Sequence, residues 1–166
     1  MAAWKVQFGS LMPSHVVRIE PVQINAPIEL VWRVLTDFSA YPEWNPFTVA
    51  IDSNLQVGDD LVLHIQQGRD KIVKRRFRLE TIEPPHLIEW SLPKLGHRAL
   101  LRAWRTQRLE SLNADACTYE TSDTFQGLFA GKIHKLQGAW VEKNFVRVAQ
   151  ALKDKCEALA AVQHAE

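Results

Sequence analysis

The sequence predicts an α+β fold in which a strongly curved antiparallel sheet wraps one long C-terminal helix. Three observations predict it. A β-branched opening run gives way at once to a helix-spaced apolar stretch, "INAPIELVWRVLTDFSAYPEWNPF" over 24–47. Between 60 and 126 apolar residues recur at every second position, in runs separated by turn-forming residues. From about 133 to 161 the period changes to three and four.

Each element follows in order. "VVRIEPVQI" (16–24) reads as a strand, and Pro21 places it at an edge or a bulge because proline brings no N–H to a ladder. Asn25 is then expected to cap a helix with Pro27 in its first turn and Glu29 close behind. Val31, Val34 and Leu35 fall at helical spacing beside Ile28 and Trp32, and the helix stops near Asp37. "FSAYPEW" reads as a short helix or turn broken by Pro42, and Asn45-Pro46 as a turn into the strand "NPFTVAI".

The meander comes next. "DDLVLHIQQG" puts Leu61, Leu63 and Ile65 on one face; "KIVKRRFRLETIEP" puts Val73, Phe77 and Leu79 on one face, with Arg75 among them. "HLIEWSLP" aligns Ile88, Trp90 and Leu92. "ALLRAWRTQRLES" and "DACTYETSDTFQG" form a hairpin. In the last segment Ile133, Leu136, Trp140, Val141, Phe145, Val148, Leu152, Cys156 and Leu159 share a face, opposed by charged residues such as Lys132, Lys135, Glu142 and Lys143. A curved sheet rarely closes tightly on such a helix, so a cavity lined by aromatic and aliphatic side chains is expected between them.

Composition narrows the function. At 166 residues, 46% hydrophobic, the chain suits one domain, and a net charge of +1 offers no bulk attraction to nucleic acid or an acidic membrane. The basic run Lys71, Lys74, Arg75, Arg76 and Arg78 reads as a solvated strand face. Cys117 and Cys156 are too few for a disulfide framework or zinc site and suit a reducing, cytoplasmic setting. No apolar run is long enough to span a membrane, and no secretory signal pattern opens the chain. No serine stands in a G-x-S-x-G elbow, the six histidines show no metal-ligand spacing, and the glycines form no phosphate loop. Neither metal nor cofactor is expected, nor nucleic acid as a partner.

The stretch over 24–47 resembles the signature of the SRPBCC or START-like superfamily, in its polyketide cyclase/dehydrase and lipid-transport branch. "DTFQGLF" (123–129) and "NFVRVAQALKDKCE" are similar to that family's closing strand and C-terminal helix. The resemblance runs from about 16 to 160. It implies the helix-grip fold: a seven-stranded antiparallel sheet around the long helix, with two short helices after the first strand and a cavity inside. Residues 1–14 then stand as an N-terminal extension to a single ligand-binding domain over 15–162. Tyr41, Pro42 and Trp44 are expected to plug one end of the cavity and to form part of its entrance, though Trp32 and Trp44 read equally as core residues.

Within the hairpin, alternation puts Leu101, Ala103, Arg105, Gln107 and Leu109 on one face, with Cys117, Tyr119, Thr121, Asp123 and Phe125 on the partner. A tight turn at 112–114 would pair Leu109 with Cys117, Gln107 with Tyr119 and Arg105 with Thr121, leaving Asp123 diagonal to Arg105. A one-residue slip would instead turn Leu100, Arg102, Trp104, Thr106 and Arg108 inward. In the first register Arg105, Gln107, Tyr119, Thr121 and Asp123, with Arg75, form a polar cluster that anchors a ligand's head, while Phe77, Trp90, Trp140 and Phe145 hold its body.

Three functions fit. The leading one is a carrier or sensor, monomeric or homodimeric, for a small hydrophobic molecule of lipid, polyketide or isoprenoid type, without stable membrane insertion. The second is a cyclase or aromatase with Asp123 as base and Arg105 and Tyr119 as donors. The third is a protein-interaction module using an exposed apolar patch, with Trp4 and Phe8 as candidates.

Overall fold

In chain order the elements are β1 (Ser14–Arg18), β2 (Val22–Ile24), α1 (Ile28–Thr36), a 3-10 turn (Phe38–Ala40), α2 (Tyr41–Trp44), β3 (Thr48–Asp52), β4 (Asp60–Gln66), β5 (Ile72–Glu83), β6 (Leu87–Ser91), β7 (Arg102–Asn113), β8 (Ala116–Gln126) and α3 (Ala130–Gln163). The computed structural model describes residues 13–93 and 100–163. Trp4, Phe8, His97 and His164 lie outside the described residues.

The sheet is antiparallel and runs β1-β8-β7-β6-β5-β4-β3, with β2 also on β8. Pro21 splits the expected first strand into two pieces, both paired with β8 at the sheet edge. The ladders shift register at Thr48/Ala50, Leu79/Thr81 and Ser111/Asn113. Such bulges bend and twist a sheet, and the curved surface closes on α3. This is the helix-grip fold.

The entry to α1 differs from expectation. Pro27, not Asn25, is the N-cap, and it caps through its backbone carbonyl, which accepts from Leu30 N and Val31 N. The Asn25 N–H donates to Glu157 Oε1 at 2.8 Å, which ties the end of β2 to α3. α1 ends at Asp37 as expected and buries Ile28, Leu30, Val31, Val34 and Leu35. Pro42 does not break the next helix; it sits in the first turn of α2, where a missing N–H costs nothing. Asn45 makes the turn into β3, its Oδ1 accepting from Phe47 N at 3.0 Å and Thr48 N at 2.8 Å.

The core lies between the concave face of the sheet, α1 and the C-terminal two thirds of α3. Leu61, Leu63, Leu79, Ile88 and Leu109 from the strands meet Phe145, Val148, Leu152 and Cys156 from the helix, all buried. Three residues assigned to the helix's inner face are exposed and not packed in the core: Leu136, Trp140 and Leu159. Leu136 and Trp140 belong to the first turns of α3, where they line an opening between helix and sheet.

Candidate functional site

β7 and β8 build one wall of that opening. Their faces are those the alternation predicts, but the pairing is two residues further along. Leu109 faces Tyr119, Gln107 faces Thr121, Arg105 faces Asp123 and Ala103 faces Phe125. The turn falls later than expected: Asn113 pairs with Ala116, and Asn113 Oδ1 accepts from Asp115 N at 2.9 Å. An even shift leaves every side chain on its face, so the inward set survives.

Arg105 and Asp123 therefore sit directly opposite. Nε donates to Oδ1 at 2.7 Å and Nη2 to Oδ2 at 2.8 Å, a bidentate pair with side chains 10% and 12% exposed. The guanidinium lies 4.6 Å from the ring centre of Phe145 and 5.6 Å from that of Phe47, within cation–π range. Burial works against the charge of Arg105, but the Asp123 carboxylate outweighs it and raises its pKa further, so it stays a cation. Deeper in, the Tyr119 hydroxyl donates to Gln107 Oε1 at 2.7 Å. Burial pushes the phenols of Tyr119 and Tyr41 well above the ordinary tyrosine range, so both remain protonated. The Tyr41 hydroxyl donates to the Leu35 carbonyl at 2.8 Å.

Two hollows flank Arg105. The outer one, about 520 Å³, is lined by Phe77, Leu101, Ala103, Trp104, Phe125, Trp140 and other side chains, mostly apolar. Arg75, itself exposed, and Asp123 also line it. The inner one, about 20 Å³, is bordered by Tyr41, Trp90, Gln107, Tyr119, Thr121 and Phe145 among others. Phe47 and Arg105 line both and form their common wall.

The anticipated set thus divides. Arg75, Phe77, Asp123 and Trp140 reach the outer cavity; Trp90, Gln107, Tyr119, Thr121 and Phe145 reach the inner one; Arg105 reaches both. Trp44 borders neither: it is buried behind Tyr41, ring centres 4.9 Å apart, so it packs the core instead of forming an entrance. Tyr41 borders the inner hollow. Among the lining residues that sequence reasoning missed, Phe47 and Trp104 are the two large aromatics. Phe47, two positions beyond the Asn45 turn, is the first inward position before β3, a signal the alternation carries. Trp104 lies between two inward positions, on the face that only the slipped register would turn inward, yet it lines the outer cavity.

The arrangement offers fixed hydrogen-bond donors beside an apolar chamber. Among the described residues no group of three or more His, Cys, Asp or Glu side chains could hold a metal ion, and no helix is long and apolar enough to cross a membrane. Both carboxylate oxygens of Asp123 already accept from the guanidinium, so proton abstraction there would first require breaking a charge-assisted bond.

Comparisons with known proteins agree with the fold. The family model described as "Polyketide cyclase / dehydrase and lipid transport" matches residues 16–157. No curated protein matches the sequence. Among solved structures, the Zhui aromatase/cyclase from a Streptomyces species is similar at 22% identity and TM-score 0.67, over 87% of this chain and 94% of that one. A START superfamily protein from Mycobacterium smegmatis is similar at 20% identity and TM-score 0.63, over 87% and 99%. Norcoclaurine synthase from Thalictrum flavum is similar at 13% identity and TM-score 0.60, over 87% and 97%.

Proposed function

We propose that this chain, which belongs to the polyketide cyclase/dehydrase and lipid transport family, holds a small hydrophobic molecule between sheet and terminal helix, as its carrier or sensor. One observation carries this reading: a cavity of about 520 Å³, mostly apolar, with the buried Arg105–Asp123 pair on its wall. That volume lies within the usual range for enclosing a small organic molecule. A lipid, polyketide or isoprenoid would place its body against Phe77, Trp104, Trp140 and Phe125. Two buried thiols without a disulfide suit a cytoplasmic setting.

Cyclase-like acid/base chemistry in the same cavity is the second reading, favoured by the Asp123 carboxylate on the cavity wall. It has less support, because a base there must first release Arg105. Native mass spectrometry of the purified protein, followed by solvent extraction, tests the first reading. A bound mass of small-molecule size, or saturable binding of the neutral probe N-phenyl-1-naphthylamine, is expected. Bare protein that also fails to bind the probe would refute it.

A further inference from the structure

The start of α3 carries an uncovered apolar surface. Phe129, Ile133, Leu136 and Trp140 recur at helical steps and form one stripe. Phe129 stands just before the helix, and its carbonyl accepts from Ile133 N at 3.1 Å, so the stripe begins there. Leu128 adjoins it. Leu128 is 74% exposed and Leu136 71%, the two highest values for a large apolar side chain among the described residues; Phe129 and Trp140 are exposed as well. Apolar side chains gathered in the open like this mark a contact surface.

The chain enters the fold at the edge of this surface. The Pro13 carbonyl accepts from Gly127 N at 3.4 Å, next to Leu128. β1 then runs along the first turns of α3. A Cβ on Gly131 would come within 3.2 Å of His15 Nε2, the rings of His15 and His134 are centred 5.2 Å apart, and a Cβ on Gly138 would meet Val17 at 3.4 Å. Before Pro13 the sequence reads "MAAWKVQFGSLM", in which Trp4, Val6 and Phe8 alternate with Lys5 and Gln7. In an extended chain such alternate residues share a side. From Trp4 to Pro13 an extended chain reaches roughly 30 Å, and the stripe from Phe129 to Trp140 is only about 16 Å long. Tethering decides the occupant: a joined segment is present at an effective concentration on the order of millimolar, ahead of any free partner. We infer that residues 1–12 dock back on this surface, with Trp4 and Phe8 against Leu128, Phe129 and Leu136, and so cover the rim of the outer cavity beside Trp140. The aromatic residues of the N-terminal extension thus find their partner within the same chain, whatever the cavity holds.

A nitroxide attached to the added thiol of Ala3→Cys tests this in the full chain, since Cys117 and Cys156 are buried. In nuclear magnetic resonance spectra the label should quench the Leu136 methyl and Trp140 indole N–H signals. Adding Trp4→Ser with Phe8→Ser should restore both signals. Signals left unquenched while the two rings are present overturn the inference. Equal quenching with and without the rings overturns it too, because a tether alone would give that result. Quenching passed from a labelled copy to an isotope-enriched unlabelled copy in a mixture would assign the surface to a second copy and contradict the inference. Co-sedimentation of the unlabelled native protein with phosphatidylglycerol vesicles, lost in Leu136→Ser and unchanged by Trp4→Ser with Phe8→Ser, would assign it to a lipid surface and contradict it equally.

Discussion

Arg105 and Asp123 face each other directly across β7 and β8 and join by two parallel hydrogen bonds, 2.7 and 2.8 Å long, in a mostly apolar interior. Both side chains line the outer cavity, and Arg105, with Phe47, separates it from the small hollow behind.

Breaking this pair should cost more than deleting it. Asp123→Asn leaves the guanidinium buried without its counter-charge and should destabilise the protein by about 3 kcal/mol in urea unfolding. Arg105→Met combined with Asp123→Leu removes both charges at similar volume and should recover most of that loss. Equal destabilisation by the single and the double change would show that packing, not charge, sets the cost.

The inward face of this wall was legible in the sequence, and its register was not. Alternation along 101–109 and 117–125 selects a face whatever the pairing. The pairing depends on the turn, and "LNADA" permits more than one. Asn113 makes the turn by accepting from Asp115 N, and a bulge at Ser111/Asn113 absorbs the extra residue. In α3 the apolar stripe continues through Leu136 and Trp140, which border the open cavity between helix and sheet and so stay exposed. Periodicity marks an apolar face without saying what lies opposite. Trp44 shows the converse, since an aromatic in a signature segment reads the same as plug or as core.

Ala103 is small, buried and on the cavity wall. Ala103→Trp should fill part of the chamber and weaken binding of N-phenyl-1-naphthylamine by at least about tenfold, a loss of ~1.4 kcal/mol, with the far-ultraviolet circular dichroism unchanged. Unaltered affinity in a folded variant would place the probe elsewhere.

Glu157 ties α3 to the end of β2. Its Oε1 accepts from Asn25 N at 2.8 Å and lies 3.0 Å from Lys153 Nζ. The Asn25 bond, helped by Lys153, holds its carboxyl below the ordinary glutamate value of 4.5. A depressed folded-state pKa contributes stability that is present above the unfolded value and lost as pH falls through the folded one. Glu157→Gln should therefore flatten part of the fall in stability below about pH 4.5, measured by urea unfolding across pH. An unchanged acid limb would show that the contact carries no linkage.

Burial pushes the Cys117 thiol up to about 11 and the Cys156 thiol up to about 12. Neither should react with a disulfide reagent at pH 8 while the protein is folded, and both should react once it is unfolded in urea. Rapid labelling of the native protein would contradict the packing of β8 against α3.

The most direct measurement is a crystal structure of the protein grown with N-phenyl-1-naphthylamine. The account predicts density for the probe between Phe77, Trp104, Trp140 and the Arg105–Asp123 wall. A probe found only on the outer surface, with that chamber closed by rearranged side chains, would contradict it.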